Sequence, residues 1–204
     1  MRRWPNSPTP VPSSSSPVRD AAVRRILASE AERIRALRLR ALSDPLASVA
    51  FLETRENAEA HPASFWTERA AAGALSDRGA QFVAEAGDQW VGTATVLAPD
   101  AGSVDYFGRA HRAERALLVA VWIDPDWRGR GILPALVDAA AEWARARGRA
   151  ELALDVHRDN PRARAAYGRL GFTATGETTE TPNGVELEMV RGIGAADPSS
   201  NLRA

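Results

Sequence analysis

The alternation of hydrophobic and polar positions predicts a chain in which helices and strands follow one another in mixed order. After Ser29, apolar residues recur at helical spacing, and Glu32 completes a capping-box pattern with Ser29. This pattern predicts a first helix that ends near Ser43. A second helix is predicted to begin at Pro62, a residue favoured in the first helical turn, and to end at Gly73.

Period-two alternation and short apolar runs predict the strands. They cover residues 21–27, 81–86, 89–97, 116–123, 151–156, 172–175 and 185–190. Gly87 and Asp88 join two of them as a tight hairpin. The run 116–123 is almost continuously apolar, which predicts a central strand that is buried on both faces.

A third helix is predicted after this central strand. It places Leu136, Ala140 and Trp143 on one face and ends at Gly148. A strand, a helix and a further strand in this order imply a right-handed crossover, so the two strands should pair in parallel.

A fourth helix is predicted to begin at Pro161 and to end near Leu170. Either Asp159 or Asn160 would cap its first turn. Helices interspersed among strands in this way indicate an α/β domain built on a mixed sheet.

The 204 residues suffice for one domain with terminal extensions. We assign residues 18–191 to the domain. Residues 1–17 are rich in Pro and Ser and are predicted to form a disordered tail, and residues 192–204 are predicted to form a loose C-terminal tail.

Composition excludes several classes of protein. Acidic and basic residues balance at 26 each, so no global field favours nucleic acid or an anionic membrane. The sequence has no Cys, which excludes disulfides, thiolate metal sites and a cysteine acyl-enzyme. The longest apolar run is too short to span a bilayer, and no signal peptide is recognisable. We therefore expect a cytoplasmic protein without a bound metal.

The loop before the third helix reads Arg128-Gly129-Arg130-Gly131. Glycines let backbone N–H groups approach phosphate oxygens closely, and the start of the following helix adds partial positive charge. The two arginines would add charge and hydrogen-bond donors. By itself this pattern is also typical of an ordinary turn between a strand and a helix.

A second signature lies downstream of the loop. The two motifs read Val121-x-Ile123-x-Pro125-x-x-Arg128-Gly129-Arg130-Gly131-Ile132 and Asp159-Asn160-Pro161-x-Ala163-x-x-x-Tyr167-x-x-x-Gly171-Phe172. In this order and at this separation, they resemble the GNAT superfamily of acetyl-CoA-dependent N-acetyltransferases.

This resemblance implies a fold and a co-substrate. The fold is a single α/β domain with a mixed, largely antiparallel sheet, a central parallel pair that splays apart, and flanking helices. Acetyl-CoA would be the co-substrate, with its pantetheine arm paired to the first strand of that pair and its pyrophosphate held by the loop. The implied cofactor-binding residues are Val121, Trp122, Ile123, Arg128, Gly129, Arg130, Gly131, Ile132, Leu133 and Asn160.

Three positions in or near these motifs have further properties. Leu133 and Pro134 stand where the superfamily usually has small residues, so a bulky side chain is expected near the pyrophosphate and one N–H is absent. Asn160 matches a cofactor contact, but a helix N-cap is an equally good explanation for it.

The resemblance also implies catalytic residues. Tyr167 matches the general acid, although a tyrosine outside such a motif would be read as packing against Ala163 and Leu170. Asp155 matches the general base of ribosomal-protein N-acetyltransferases in this superfamily, and it could equally be a solvated carboxylate at a strand end.

Other groups remain alternatives for the base. Glu85, Asp124 and a chain of waters could each accept the proton of the amine. His157 follows Asp155 by two positions and could face the same side of the sheet.

The resulting hypothesis is an N-acetyltransferase in which an amine attacks acetyl-CoA directly in a ternary complex. The acceptor would be a small molecule or a peptide bound by residues 44–79 and 99–113, and the family likeness leaves room for a homodimer.

A non-catalytic acetyl-CoA-binding module is one alternative. A nicotinamide-dependent oxidoreductase is another, because Gly129-x-Gly131 is followed by Glu151 at about the spacing of a dinucleotide fingerprint. Pro134 at the third glycine position argues against it.

Overall fold

The computed structural model describes residues 21–105 and 107–194. The predicted N-terminal tail and most of the predicted C-terminal tail lie outside these residues. Within the described part, Gly192 is the last residue of a strand and Ile193 is buried, so the first residues of the predicted C-terminal tail belong to the folded domain.

Seven strands form one sheet with helices on both faces. The strands are β1 (Ala22–Arg25), β2 (Gly79–Ala86), β3 (Gln89–Leu97), β4 (Arg115–Ile123), β5 (Glu151–His157), β6 (Thr173–Thr181) and β7 (Gly184–Gly192). The helices are α1 (Ala31–Leu42), α2 (Arg55–Ala60), α3 (Ala63–Leu75), α4 (Ile132–Arg145) and α5 (Pro161–Arg169). Short 3-10 turns cover Ala47–Val49 and Pro125–Trp127.

The strand order is β1-β2-β3-β4-β5-β7-β6. Every neighbouring pair is antiparallel except β4 and β5, which are parallel. The predicted mixed, largely antiparallel sheet with one central parallel pair is therefore confirmed. The terminal hairpin of β6 and β7 is longer than predicted, because Thr-rich β6 runs on to Thr181.

The parallel pair separates early. Only Arg115, Ala116 and Leu117 of β4 pair with β5, whereas β5 continues alongside β7 as far as His157. On its other side β4 stays paired to β3, with a register shift near Ala120, whose φ is 53°. Beyond Leu117 a cleft therefore opens between β4 and β5.

This cleft corrects one prediction. The apolar run in β4 was expected to be buried on both faces, but Val119 is 36% exposed. Its side chain lines the cleft rather than the core. A run of apolar residues has the same appearance in a sequence whether it faces a protein core or an apolar cleft.

Two hydrophobic clusters lie on opposite faces of the sheet. One joins α4 to the strands and includes the predicted face of Leu136, Ala140 and Trp143, which is confirmed. The other joins α1 and α3 to the sheet and includes Trp66 and Trp122.

Two helix-end predictions are wrong. Ser29 does not cap α1, because the N-cap is Glu30 and no side chain caps the first turn. The Glu30 carboxylate instead accepts the N–H of Leu27 at 2.8 Å and pairs with Arg24 at 2.7 Å. Gly73 does not end α3, which continues to Leu75.

Gly73 is required by close packing. A Cβ atom there would lie 2.7 Å from Ile26 Cδ1 and 3.0 Å from Gln81 Cβ. The glycine therefore allows α3 to approach the start of the sheet, at the helix-propensity cost that an interior glycine carries.

We expect Gly73→Ala to lower the free energy of unfolding by about 1 kcal/mol, measured by urea denaturation. Overpacking costs about 1–3 kcal/mol, and the better helix propensity of Ala returns only about 1 kcal/mol. Gly168→Ala is the matched control, because Gly168 is also helical and no atom lies within 4 Å of its Cβ position. It should stabilise the protein, and a stabilised Gly73→Ala variant would contradict the packing argument.

Candidate active site

A cavity of about 890 Å³ opens where β4 and β5 separate. Residues 117–121 of β4 and 154–157 of β5 form its walls, and Tyr167 of α5 lines it as well. Residues 49–53 and residues 105, 107 and 109–112 complete it. The last two segments belong to the regions predicted to bind an acceptor.

The glycine loop follows β4 and leads into α4. Gly129 and Gly131 both have φ of 79°, a left-handed conformation that side chains rarely adopt. No atom lies within 4 Å of the Cβ position of either residue, so the space above them is open.

The loop presents a row of free donors. Among the described residues, none accepts a hydrogen bond from the backbone N–H groups of residues 129–133. The first such bond of the helix runs from the Ala135 N–H to the Gly131 carbonyl at 3.3 Å. Unpaired N–H groups at the start of a 14-residue helix form an anion-binding site.

Arg128 does not point its charge into this loop. Its guanidinium donates to the Ile123 carbonyl at 3.0 Å and pairs with Asp44. Asp44 also accepts the Trp122 indole N–H at 3.1 Å and the Leu46 N–H at 2.9 Å. Burial alone would raise the pKa of Asp44, but these hydrogen bonds and the charge of Arg128 outweigh it and lower that pKa.

Arg130 is the cation that the loop leaves available. It is exposed, it lies 5.0 Å from the centroid of the Trp127 ring, and it forms no ion pair with a described residue. The neighbouring Leu133 is half-buried and packs against the core on the α4 side of the sheet. The Leu133 side chain therefore packs against the core and does not lie across the N–H groups of residues 129–133.

Asn160 serves the helix and also reaches the cavity. Its Oδ1 accepts the N–H of Ala163 at 3.0 Å, as the predicted N-cap of α5. The residue also lines the cavity, and its side-chain NH₂ donates to none of the described residues. The helix cap therefore leaves two donors available to a ligand.

Tyr167 is half-buried between the core and the cavity. Its ring meets Phe172 edge to face at a centroid distance of 5.6 Å, and it lines the cavity. Burial raises the pKa of Tyr167 well above its ordinary value. A tyrosine hydroxyl carries its proton at neutral pH in any case, as a general acid must, and the raised pKa means that this hydroxyl holds its proton more tightly than usual.

Asp155 is held by an arginine from the loop that covers the cavity. Arg109 donates to its two oxygens at 3.1 and 2.6 Å. The same guanidinium binds Asp105 at 2.7 Å and Thr179 at 2.8 Å. Both oxygens of Asp155 are thus engaged in anchoring the loop to the sheet.

His157 has a structural role. Its Nε2 lies 2.8 Å from the Asn183 carbonyl, and its Nδ1 accepts the N–H of Asp159 at 3.1 Å. These partners assign the neutral tautomer with the proton on Nε2. The residue is buried and holds the turn before α5 against the β6–β7 turn.

The other two candidate bases lie outside the cavity. Glu85 pairs with Arg24 and Arg33, and their hydrogen bonds lower its pKa to about 2. Asp124 pairs with Arg40 at 2.7 Å and accepts the N–H of Asp126.

A carboxylate that the sequence analysis missed does line the cavity. Glu186 lies opposite His157 in the pairing of β5 and β7. Burial raises its pKa; the negative charge of Asp155 adds to this increase, while the positive charge of Arg109 opposes it. The alternation of Glu186 and Glu188 with Leu187 and Met189 in β7 was the available signal, because it places both carboxylates on one face.

The raised pKa of Glu186 predicts a stability effect with a definite sign. The folded chain binds this proton more tightly than the unfolded chain, so ionised Glu186 destabilises the fold above its folded pKa and not below its unfolded pKa. Glu186→Gln should therefore be more stable than the parent at pH 7, and the gain should disappear as the pH falls below about 4. Thermal unfolding across this range measures the difference, and a gain that grows with acidity would refute it.

The comparisons with known proteins agree with this geometry. The fold places the splayed parallel pair of β4 and β5 beside a loop whose backbone N–H groups have no partner among the described residues. The sequence profile described as the Acetyltransferase (GNAT) family matches residues 43–172. The chain belongs to this family.

Curated relatives match part of the chain. An uncharacterized N-acetyltransferase of Methanocaldococcus jannaschii is 40% identical over 68 residues, 33% of this chain and 30% of the relative. Human N-acetyltransferase 8B is 34% identical over 105 residues, 51% of this chain and 43% of the relative. The chain thus spans less than half of the length of either protein.

Solved structures share the fold at low identity. A GNAT-family acetyltransferase of Streptococcus pneumoniae has a TM-score of 0.67 and 19% identity, covering 86% of this chain and all of the other. A phosphinothricin acetyltransferase of Sinorhizobium meliloti, solved with acetyl-CoA, has a TM-score of 0.64 and 17% identity, covering 87% and 90%. In residues 21–105 and 107–194, no helix has the length and apolarity to cross a membrane.

Proposed function

We propose that this protein is an N-acetyltransferase that moves the acetyl group of acetyl-CoA to a primary amine by direct attack in a ternary complex. The observation that carries the proposal is the cleft between β4 and β5, which opens beside a loop of unpaired N–H groups. The names of the curated relatives and the acetyl-CoA in the S. meliloti structure support it.

The residues present fit acetyl-CoA. The N–H groups of residues 129–133 and the free Arg130 suit a diphosphate, and the open space at Gly129 and Gly131 leaves room for it. The backbone of Val121, Trp122 and Ile123 has no β5 partner, although the Ile123 carbonyl accepts from Arg128, and this edge is available to an extended arm that carries amides. Asn160 adds free donors at the cavity.

The residues that line the cavity would carry out the transfer of the acetyl group. Bound acetyl-CoA supplies an acetyl group that is already activated as a thioester. Tyr167 holds a proton on its phenolic oxygen at neutral pH and donates it to the leaving sulfur. The sequence has no Cys, so an acyl-cysteine cannot form and the amine attacks directly.

A base must remove a proton from the acceptor amine, and two carboxylates of the cavity are candidates. Asp155 is bound through both oxygens by Arg109, whereas Glu186 forms no ion pair with a described residue. Burial also raises the pKa of Glu186 towards the range in which a carboxylate is an effective base. We therefore assign the base to Glu186 and the anchoring of the loop to Asp155.

Gly131→Ala should weaken acetyl-CoA binding by at least about tenfold, because a methyl group would enter the phosphate cradle and the left-handed backbone would be disturbed. Gly148→Ala is the matched control: Gly148 has φ of 74° and equally open surroundings, but it lies at the far end of α4. Both variants should lose similar stability, and calorimetric titration should show lost affinity in Gly131→Ala alone. Equal affinities would refute the cradle.

Tyr167→Phe keeps the aromatic contact with Phe172 and removes only the hydroxyl. We expect kcat to fall about 100-fold and the KM of the acceptor to change little, since the proton is transferred in the transition state. CoA release measured with a thiol reagent has no protein background here, because the chain has no Cys. A near-normal kcat with unchanged cofactor affinity would exclude the acid role.

Glu186→Gln and Asp155→Asn should differ in their pH profiles. An ionised Glu186 is needed for catalysis, so kcat/KM should rise with pH through its raised pKa, above the range of an ordinary glutamate. Glu186→Gln should lose this ascending limb, and Asp155→Asn should keep it. The opposite outcome would return the base to Asp155, and a limb retained in both variants would assign it to solvent.

A further inference from the structure

We infer that the acceptor is an amine whose neighbouring carbon bears no carboxylate, an inference that rests on the proposed function. The acceptor end of the cavity is formed on one side by β5, β6 and β7. These strands contribute four carboxylates to it and no arginine: Asp155, Glu177, Glu186 and Glu188.

The arginines that reach this wall are each shared between two carboxylates. Arg109 binds Asp155 and Asp105. Arg115 of β4 binds Glu188 at 3.0 Å and Glu151 at 2.8 Å. The positive charge of each arginine is therefore already compensated by two carboxylates, and neither arginine is expected to bind a further anion.

Two carboxylates of the wall remain without a cation. Glu177 of β6 and Glu186 of β7 form no ion pair with a described residue. The wall is thus net negative after its ion pairs are counted, which favours a cationic ligand and repels an anionic group.

A buried oxygen in the same wall also lacks a donor. Glu188 Oε1 accepts from Arg115, but Oε2 is inaccessible to solvent and has no hydrogen-bond partner among the described residues. Because this oxygen is closed off from the cavity, it contributes to the negative potential of the wall and is not itself a contact for a ligand.

The remaining side of the cavity is largely apolar, with one arginine in an ion pair and one arginine that forms no ion pair with a described residue. Phe51 and Leu52 line it, and Arg38 is bound by Glu53 at 2.8 Å. Arg112, on the exposed loop with His111, is the remaining arginine of the lining. A carboxylate at a distance from the amine could reach Arg112, whereas an α-carboxylate is held beside the amine and must face the acidic wall.

These features define the acceptor class by its chemistry. The amine should be carried by an apolar body, and the group next to it should be neutral, as in a simple arylalkylamine or at the N-terminus of a peptide. Free α-amino acids should be poor acceptors.

The test compares 2-phenylethylamine with phenylalanine, which share an aromatic body and differ by the carboxylate. We expect kcat/KM to be at least about tenfold higher for 2-phenylethylamine, the scale of one unfavourable charge contact. A third arm, phenylalanylglycinamide, distinguishes a peptide acceptor from a small amine.

Glu177→Gln tests whether the acidic wall of β5, β6 and β7 causes the preference for 2-phenylethylamine. It should reduce the preference for 2-phenylethylamine over phenylalanine several-fold, because one of the two unpaired charges is lost. Glu180→Gln is the matched control: it changes the net charge equally and lies on the same strand, but Glu180 does not line the cavity. The Glu180→Gln variant should show the same ratio of kcat/KM for the two amines as the parent protein.

The outcomes separate the inference from the proposed function. Equal kcat/KM for phenylalanine and 2-phenylethylamine, or equal effects of the two glutamate substitutions, would overturn the inference and leave the transferase activity standing. Activity with the dipeptide amide alone, reduced by Glu177→Gln and not by Glu180→Gln, would support the inference with a peptide as the acceptor. No CoA release with any of these compounds or with a wider panel of amines would overturn the proposed function and the inference together.

Discussion

The separation of β4 from β5 after Leu117 is the constraint on which the site depends. A central strand normally satisfies its backbone groups on both sides, and an unpaired N–H or carbonyl that is shielded from water costs free energy. Here one edge of β4 is left open in the middle of a seven-stranded sheet. Under the proposed function, the amides of the pantetheine arm would pair with this open edge and restore the missing ladder.

Several contacts keep the cleft open. On the β4 side, Asp44 accepts a hydrogen bond from the Trp122 indole and pairs with Arg128. These contacts fix the end of the strand and the start of the loop. The left-handed Ala120 shifts the register with β3 at the same level. On the other side, β5 is held by full pairing with β7. The two strands are thus each secured to a different neighbour over the stretch in which they separate.

The elements and the glycine loop were predictable because their signals are local. The hydrophobic periods, the glycines with positive φ and the Asn160 cap are all encoded within a few residues of where they act. Features set by distant partners were not predictable. Arg128 is diverted by Asp44, 84 residues away, and Ser29 loses its capping role because Glu30 is recruited by Arg24. The value of Glu186 as a candidate base depends on burial by neighbouring strands, which no single segment reveals.

The two hydrophobic clusters on opposite faces of the sheet anchor different parts of the site. The loop and α4, which present the phosphate cradle, are anchored in the cluster on one face. Phe51, which lines the acceptor end, is anchored with α1 and α3 in the cluster on the other. Substitutions in the second cluster can reshape the Phe51 side of the cavity, but Trp122 of the same cluster shares Asp44 with Arg128 and so connects this cluster to the start of the loop. The cavity is therefore bounded by residues from both clusters, so that redirecting this protein to a new amine would, under the proposed function, require changes on both faces of the sheet.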